Sequence, residues 1–97
     1  MTVKLSQQVA RFVRGLAPEP RRKLRLALKS LSRGRGNIEA LEGPLSGYYR
    51  LRVGSYRVLL FYTVSNQVEC VFAEHRSIVY EIFAEALRET LAKRAGS

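Results

Sequence analysis

Residues 47–62 read GYYRLRVGSYRVLLFY, and this stretch decides the fold because apolar side chains recur at every second position around a Gly-Ser pair. Alternation with period two is typical of β-strands, whose successive side chains point to opposite faces of a sheet. Residues 48–53 and 56–64 are therefore predicted to be two antiparallel strands. Gly54-Ser55 is predicted to join them, because a two-residue loop with glycine first fits a type II′ turn.

The predicted pairing gives the two faces of this hairpin different compositions. One face is apolar or aromatic throughout and is predicted to pack on helices: Tyr49, Leu51, Val53, Tyr56, Val58, Leu60 and Tyr62. The other face carries Arg50, Arg52 and Arg57, with Arg52 directly opposite Arg57. Opposed like charges destabilise a hairpin by up to about 1 kcal/mol, whereas guanidinium groups bind phosphate or carboxylate well. The three arginines therefore predict an anion site; the alternative is that they extend into water or pair with Glu42 or Glu74.

The flanking segments predict an α+β fold. Apolar residues at helical spacing predict two helices, with Val9, Phe12, Val13 and Leu16 in the first and Leu24, Ala27, Leu28 and Leu31 in the second. Residues 68–74 are predicted to be a third strand, and a last helix is predicted after Ser77. The predicted fold is a single domain over residues 1–97. In it an N-terminal helical hairpin packs on a three-stranded antiparallel meander, residues 2–5 form an edge strand, and a helix ends the chain.

The charge of the chain is strongly uneven. There are 17 Lys and Arg residues against 8 Asp and Glu, a formal net charge of +9. Residues 1–35 hold ten basic residues and one acidic residue, and the remainder is balanced. A one-sided field attracts polyanions, so the charge predicts an acidic or nucleic-acid partner, with solubility alone as the alternative.

Composition also excludes several classes. No segment approaches the roughly 18 apolar residues of a membrane span, and the first six residues are too short for a signal peptide. The single cysteine, Cys70, lies in an apolar run and is expected to be a buried hydrophobe, which fits the cytosol. With one His, one Cys and no HExxH or CxxC spacing, no metal site is expected.

Two segments resemble a known family. Residues 41–62, LEGPLSGYYRLRVGSYRVLLFY, resemble the central signature of the RelE/ParE toxin superfamily, and residues 74–83, EHRSIVYEIF, resemble its segment entering the C-terminal helix. The resemblance implies the toxin of a type II toxin–antitoxin system, neutralised by a cognate antitoxin. In the RelE-like branch, which is favoured here, the toxin cleaves mRNA in the ribosomal A site without metal or cofactor. The alternatives are a ParE-like inhibitor of DNA gyrase and an inactive relative that binds RNA or a partner.

The resemblance also implies a set of site residues. Arg50 and Arg52 match the basic pair of the first hairpin strand, and Arg57 matches the arginine of the Tyr-Arg step. Arg76 and Tyr80 match the basic residue and the tyrosine after the last strand. Arg52, Arg57, Arg76 and Tyr80 are expected to be catalytic. RNA or phosphate is expected to be bound by Arg50, Arg52 and the basic side of the second helix, namely Arg21, Arg22, Arg25, Lys29 and Arg33.

Cleavage by the 2′-hydroxyl requires two proton transfers in addition to charge stabilisation. Arginines are poor proton carriers because their pKa lies above about 12, which leaves Tyr80 and His75 as candidates for acid–base roles. The position of His75 depends on the register of the third strand. With Ser65-Asn66 as the loop, Glu74 faces the arginines, and with a three-residue loop His75 faces them.

Overall fold

A computed structural model describes residues 1–95, which form a five-stranded sheet and three helices. The strands are β1 (Thr2–Leu5), β2 (Asn37–Ala40), β3 (Tyr49–Val53), β4 (Tyr56–Tyr62) and β5 (Gln67–His75). The helices are α1 (Gln7–Arg14), α2 (Pro18–Leu31) and α3 (Val79–Ala95), and a 3-10 turn spans Gly43–Leu45. The sheet order is β1-β5-β4-β3-β2, with β1 parallel to β5 and all other pairs antiparallel.

The three-stranded antiparallel sheet predicted from the sequence is wrong. The predicted edge strand, β1, pairs in parallel with β5, and β2, which was not predicted, pairs with β3, so the sheet has five strands and is mixed. The predicted N-terminal helical hairpin is also wrong, since α1 and α2 lie between two strands of the sheet, β1 and β2, rather than ahead of it. Strand β2 has four residues, of which only Ile38 is partly buried, so it carries no alternating pattern. Backbone hydrogen bonds pair it with β3 regardless of side-chain type. The class remains α+β.

The turn between β3 and β4 has the predicted conformation. Val53 pairs with Tyr56, which leaves Gly54-Ser55 as a two-residue loop. Gly54 has a φ of +57°, whereas the φ of Ser55 is not positive. A positive φ at the first loop position alone is the signature of a type II′ turn.

The apolar face of the hairpin packs on α1 and α2, as the alternation predicts. The core on this side is a continuous cluster of buried residues: Val9, Val13, Leu24, Leu28, Leu31, Leu51, Val58, Leu60, Val68, Cys70 and Ala73. Burial, followed by the nearby charge of Glu69, raises the pKa of the Cys70 thiol to about 12. The thiol is therefore a buried apolar group and not a nucleophile at neutral pH.

Helix α3 covers part of the opposite face of the sheet. Leu59, Val79 and Phe83 form a second buried cluster there. The arginine-bearing positions lie beside this cluster, toward the turn of the hairpin. Within residues 1–95, no helix is long and apolar enough to cross a membrane.

Strand β5 contains a β-bulge that sets which of its side chains face the arginines. Val71 is skipped between the partners of Leu59 and Leu60, so it is the extra residue. The register beyond it is shifted by one position, and Glu74 lies opposite Arg57. Without this shift, the side chains of β5 that now point toward the arginines would point toward α1 and α2.

Candidate functional site

Four arginines and one tyrosine meet at the turn end of the β3–β4 hairpin, and they form what we call the arginine site: Arg50, Arg52, Arg57, Arg76 and Tyr80. Arg52 and Arg57 are direct cross-strand partners, as predicted. The backbone N–H of Arg76 donates to the carbonyl oxygen of Ser55 at 2.8 Å, which ties the segment after β5 to the turn. Tyr80 follows in the first turn of α3.

Arg57 is the buried member of the arginine site, with 6% of its surface exposed. Its Nη1 donates to the carbonyl oxygens of Gly54, at 2.9 Å, and Tyr56, at 2.8 Å. In the described part of the chain it forms no salt bridge with a carboxylate. Its pKa is lowered, first because burial penalises the charged form and then because Arg52 and the other arginines repel it. Such an uncompensated, fixed guanidinium favours an anionic ligand.

Arg50 connects the sheet to α3. Its Nη1 donates to the Tyr80 hydroxyl at 3.4 Å, and its Nη2 donates to the carboxylate of Glu39. These two contacts, the one with Tyr80 first, raise the pKa of Arg50. Because the Tyr80 oxygen accepts from Arg50, the proton of the hydroxyl remains available for a third group.

The structure adds a carboxylate to this face that sequence reasoning missed. Glu39 lies directly opposite Arg50 in the β2–β3 ladder. The only sequence feature that could have indicated this contact is the negative charge of Glu39, opposite to that of Arg50. This charge becomes informative only once residues 37–40 are recognised as a strand that pairs with β3. In the part of the chain that the structure describes, no group of three or more His, Cys, Asp or Glu side chains could hold a metal ion.

Glu74 faces the arginines, as in one of the two register alternatives for β5, but the loop predicted for that alternative is wrong. Tyr62 pairs with Val68 and not with Glu69, so Ser65-Asn66 is not a two-residue loop, and the bulge at Val71 is what brings Glu74 opposite Arg57. His75 lies opposite Tyr56, with the two ring centroids 6.1 Å apart, on the face toward the helices. Its Nδ1 is 2.8 Å from the Ser77 hydroxyl oxygen. The structure therefore does not bring His75 to the arginine site.

The basic residues predicted on the second helix form a separate surface. Helix α2 packs on the face of the sheet opposite the arginine site. Four of these residues line a shallow depression of about 350 Å³, namely Arg21, Arg22, Arg25 and Lys29. Arg22 is paired with Glu19 at 2.7 Å, and Arg33 lies just beyond the end of the helix. The chain thus presents two basic surfaces with the sheet between them.

No protein-family model and no curated protein matches the chain. A chain of the toxin–antitoxin complex RelBE2 from Mycobacterium tuberculosis matches with 24% identity and a TM-score of 0.68, over 77% of this chain and 96% of that one. The RelB–RelE antitoxin–toxin complex from Methanococcus jannaschii matches with 18% identity and a TM-score of 0.64, over 81% and 96%. The YoeB/ParE toxin from Agrobacterium tumefaciens matches with 16% identity and a TM-score of 0.63, over 78% and 99%. The chain has the fold of RelE-like toxins, which confirms at the level of the fold the resemblance seen in the sequence.

Proposed function

We propose that this protein is the toxin of a type II toxin–antitoxin pair, a metal-independent endoribonuclease that cleaves mRNA in the ribosomal A site. The observation that carries the proposal is Arg57, a buried guanidinium held by backbone carbonyls and surrounded by three further arginines. Stability alone does not favour such a cluster, whereas a phosphate ligand compensates its charge. The fold supports a cognate antitoxin as partner, because the matching structures include complexes of a toxin with its antitoxin.

In the proposed reaction the 2′-oxygen of one nucleotide attacks the adjacent phosphorus. The bond from phosphorus to the 5′-oxygen breaks and leaves a 2′,3′-cyclic phosphate. Arg57 and Arg52 stabilise the negative charge that develops on the phosphorane, and Arg76 and Arg50 hold the neighbouring backbone. Fixed donors directed at developing charge are worth about 10²–10³ in rate for a single group.

The two protons require groups other than arginine. Tyr80 donates its hydroxyl proton to the leaving 5′-oxygen, because its oxygen is already occupied as an acceptor from Arg50. Glu39, bound to the same Arg50, accepts the proton of the attacking 2′-hydroxyl. The mechanism does not use His75, which lies toward the helices.

The decisive test is primer extension on a reporter mRNA in a purified translation system, with wild-type protein, Arg57→Ala and Tyr80→Phe. We expect cuts within the A-site codon only when ribosomes are present, and weaker cuts with both variants. Tyr62→Phe is the matched control, because Tyr62 is an exposed tyrosine on the other face of the hairpin and should leave cleavage unchanged. Intact mRNA with a folded, growth-inhibiting protein would contradict the proposal, and a gyrase supercoiling assay would then test the ParE-like alternative.

The basic surface on α2 is proposed to bind ribosomal RNA. Arg21, Arg25 and Lys29 recur every fourth residue and span about 12 Å along the helix, at a rise of about 1.5 Å per residue. We expect the double substitution Arg25→Ala/Lys29→Ala to weaken binding to purified ribosomes. A plot of log affinity against log salt should also become less steep, by about 2 in slope, because each lost phosphate contact reduces the steepness by about 1.

Co-sedimentation with ribosomes at several salt concentrations measures this slope. Lys4→Ala/Arg14→Ala is the matched control, because it removes the same charge from exposed positions on β1 and α1. An equal loss of slope in both double variants would show that net charge alone governs binding, and would refute a role for α2 in particular.

A further inference from the structure

A cavity in the described residues adjoins the arginine site and shares only Tyr80 with it. It is a groove of about 820 Å³ between α3 and the 3-10 turn Gly43–Leu45, and we call it the α3 groove. Its volume falls within the range of about 300–1,000 Å³ that is typical of ligand clefts. Its lining includes the apolar residues Pro44, Leu45, Ile82 and Ala86, which we call its floor, and Tyr80 also lines it.

Leu45 on the floor of the groove packs against the second buried cluster, but Pro44, Ile82 and Ala86 are not part of that cluster. Helix α3 already buries Val79 and Phe83 against the sheet. Ile82, on another side of the helix, keeps 40% of its surface exposed although it is a large aliphatic residue. A concave apolar surface with an exposed aliphatic anchor is typical of a binding site.

The acidic residues that line the groove, which we call its rim, have the opposite charge to the protein as a whole. Four of the eight acidic residues of this +9 chain line it, namely Glu42, Glu81, Glu85 and Glu89. Arg88 also lines the groove and is paired with Glu85 at 2.6 Å. An acidic rim repels the phosphates of RNA, so this surface is not an extension of the arginine site.

The walls of the groove indicate the shape of its ligand. A helix and a 3-10 turn have their backbone groups bonded internally, so they offer no open strand edge to which a peptide strand could pair. Recognition must therefore occur through side chains. An amphipathic helix lying along such a groove inserts apolar anchors at spacings of three and four residues.

We propose that the α3 groove binds an amphipathic helical segment of a protein partner, with aliphatic anchors flanked by Lys or Arg. The anchors cover Ile82 and the apolar floor, and the flanking cations meet the glutamates of the rim. Complementary charge of this kind fixes the orientation of the segment and speeds its association. Binding requires neither RNA nor the chemistry of the arginine site, so the two proposals fail independently.

The test is fluorescence anisotropy with the full chain and a labelled helical peptide that carries Leu anchors flanked by Lys. A peptide with the same anchors and Glu in place of Lys is the control probe. We expect the Lys peptide to bind at least about tenfold more tightly than the Glu peptide, a difference that decreases with added salt. Absence of binding by the Lys peptide, or equal binding of the two, would overturn the proposal.

Variants of the chain locate the binding. Ile82→Gln should lower the affinity for the Lys peptide by about tenfold or more, whereas Ile78→Gln should leave this affinity unchanged. The two isoleucines have the same exposure, 40%, and only Ile82 lines the groove. Glu85→Lys should weaken binding of the Lys peptide and strengthen binding of the Glu peptide. Glu19→Lys, the same charge change on α2, should alter the binding of neither peptide. Equal losses with both isoleucine variants would contradict the proposed place.

A second copy of the chain is the competing occupant. Sedimentation equilibrium over a wide range of protein concentrations distinguishes it, because the proposal expects the chain alone to remain monomeric. Concentration-dependent association that is abolished by Ile82→Gln would overturn the assignment of the groove to a partner.

Discussion

Replacement of Arg57 by Ala is expected to lower A-site cleavage of mRNA by about a hundredfold or more, while the protein remains folded. Arg57 is the one arginine of the site whose guanidinium is fixed in place by two backbone carbonyls. Its direction is therefore set before the substrate arrives, and no reorganisation is needed as charge develops on the phosphorane. Loss of one such donor costs about 10²–10³ in rate in other active sites.

The fold should survive because Arg57 opposes stability more than it supports it. It is a buried charge whose cross-strand partner on β3 is Arg52, also positive, and although Glu74 lies opposite it on β5, the described residues show no salt bridge between Arg57 and Glu74. Opposed like charges destabilise a strand pair by up to about 1 kcal/mol. Arg57→Met keeps the apolar stem and removes the charge, so its free energy of unfolding should equal or exceed that of the wild type. A gain of stability with a loss of activity is typical of a residue retained for function.

Both quantities are measured on the same preparations, cleavage by primer extension and unfolding by urea titration followed by circular dichroism. Arg57→Lys is the informative control, because it keeps the charge and loses the planar fork that matches phosphate oxygens. It should restore little of the activity. Full activity in Arg57→Ala with a native unfolding curve would remove Arg57 from the mechanism.

The hairpin and its arginine face could be predicted from the sequence because several local signals agree there. Apolar residues alternate on both sides of Gly54-Ser55, and a glycine stands at the loop position that requires positive φ. A register error of one residue would move the whole apolar set to the wrong face. The pairing of Arg52 with Arg57 follows from this register and needs no knowledge of the rest of the fold.

Glu39 and the orientation of β5 could not be predicted in the same way, because both depend on contacts between distant segments. Strand β2 is an edge strand whose pairing with β3 depends on backbone hydrogen bonds, so its sequence carries little pattern. The bulge at Val71 is accommodated from outside the hairpin, since the Ser6 hydroxyl donates to the carbonyl oxygen of Val71 at 3.0 Å. This contact spans 65 residues of sequence. The bulge decides whether Glu74 or His75 faces the arginines, so a local reading left both open.

The second large effect concerns the packing of α2, and it is expected at Leu24. Leu24 is fully buried, with 0% exposure, against the apolar face of the hairpin, whereas Leu26 in the same helix is 52% exposed. Leu24→Ala should lower the free energy of unfolding by about 2–5 kcal/mol, because it removes buried methyl groups and leaves a cavity. Leu26→Ala should stay within about 0.5 kcal/mol of the wild type.

Comparison of Leu24→Ala with Leu26→Ala isolates the effect of burial on stability, because both substitutions remove the same side chain from the same helix and change its helix propensity equally. Urea titration gives both free energies from one measurement. A domain of this size has about 5–15 kcal/mol of stability in total, so the loss expected for the Leu24 variant is a substantial part of it. Equal losses at the two positions would mean that α2 is not held on the sheet as described. The basic residues Arg25 and Lys29 would then have no fixed geometry, and the expected salt dependence of ribosome binding would lose its structural basis.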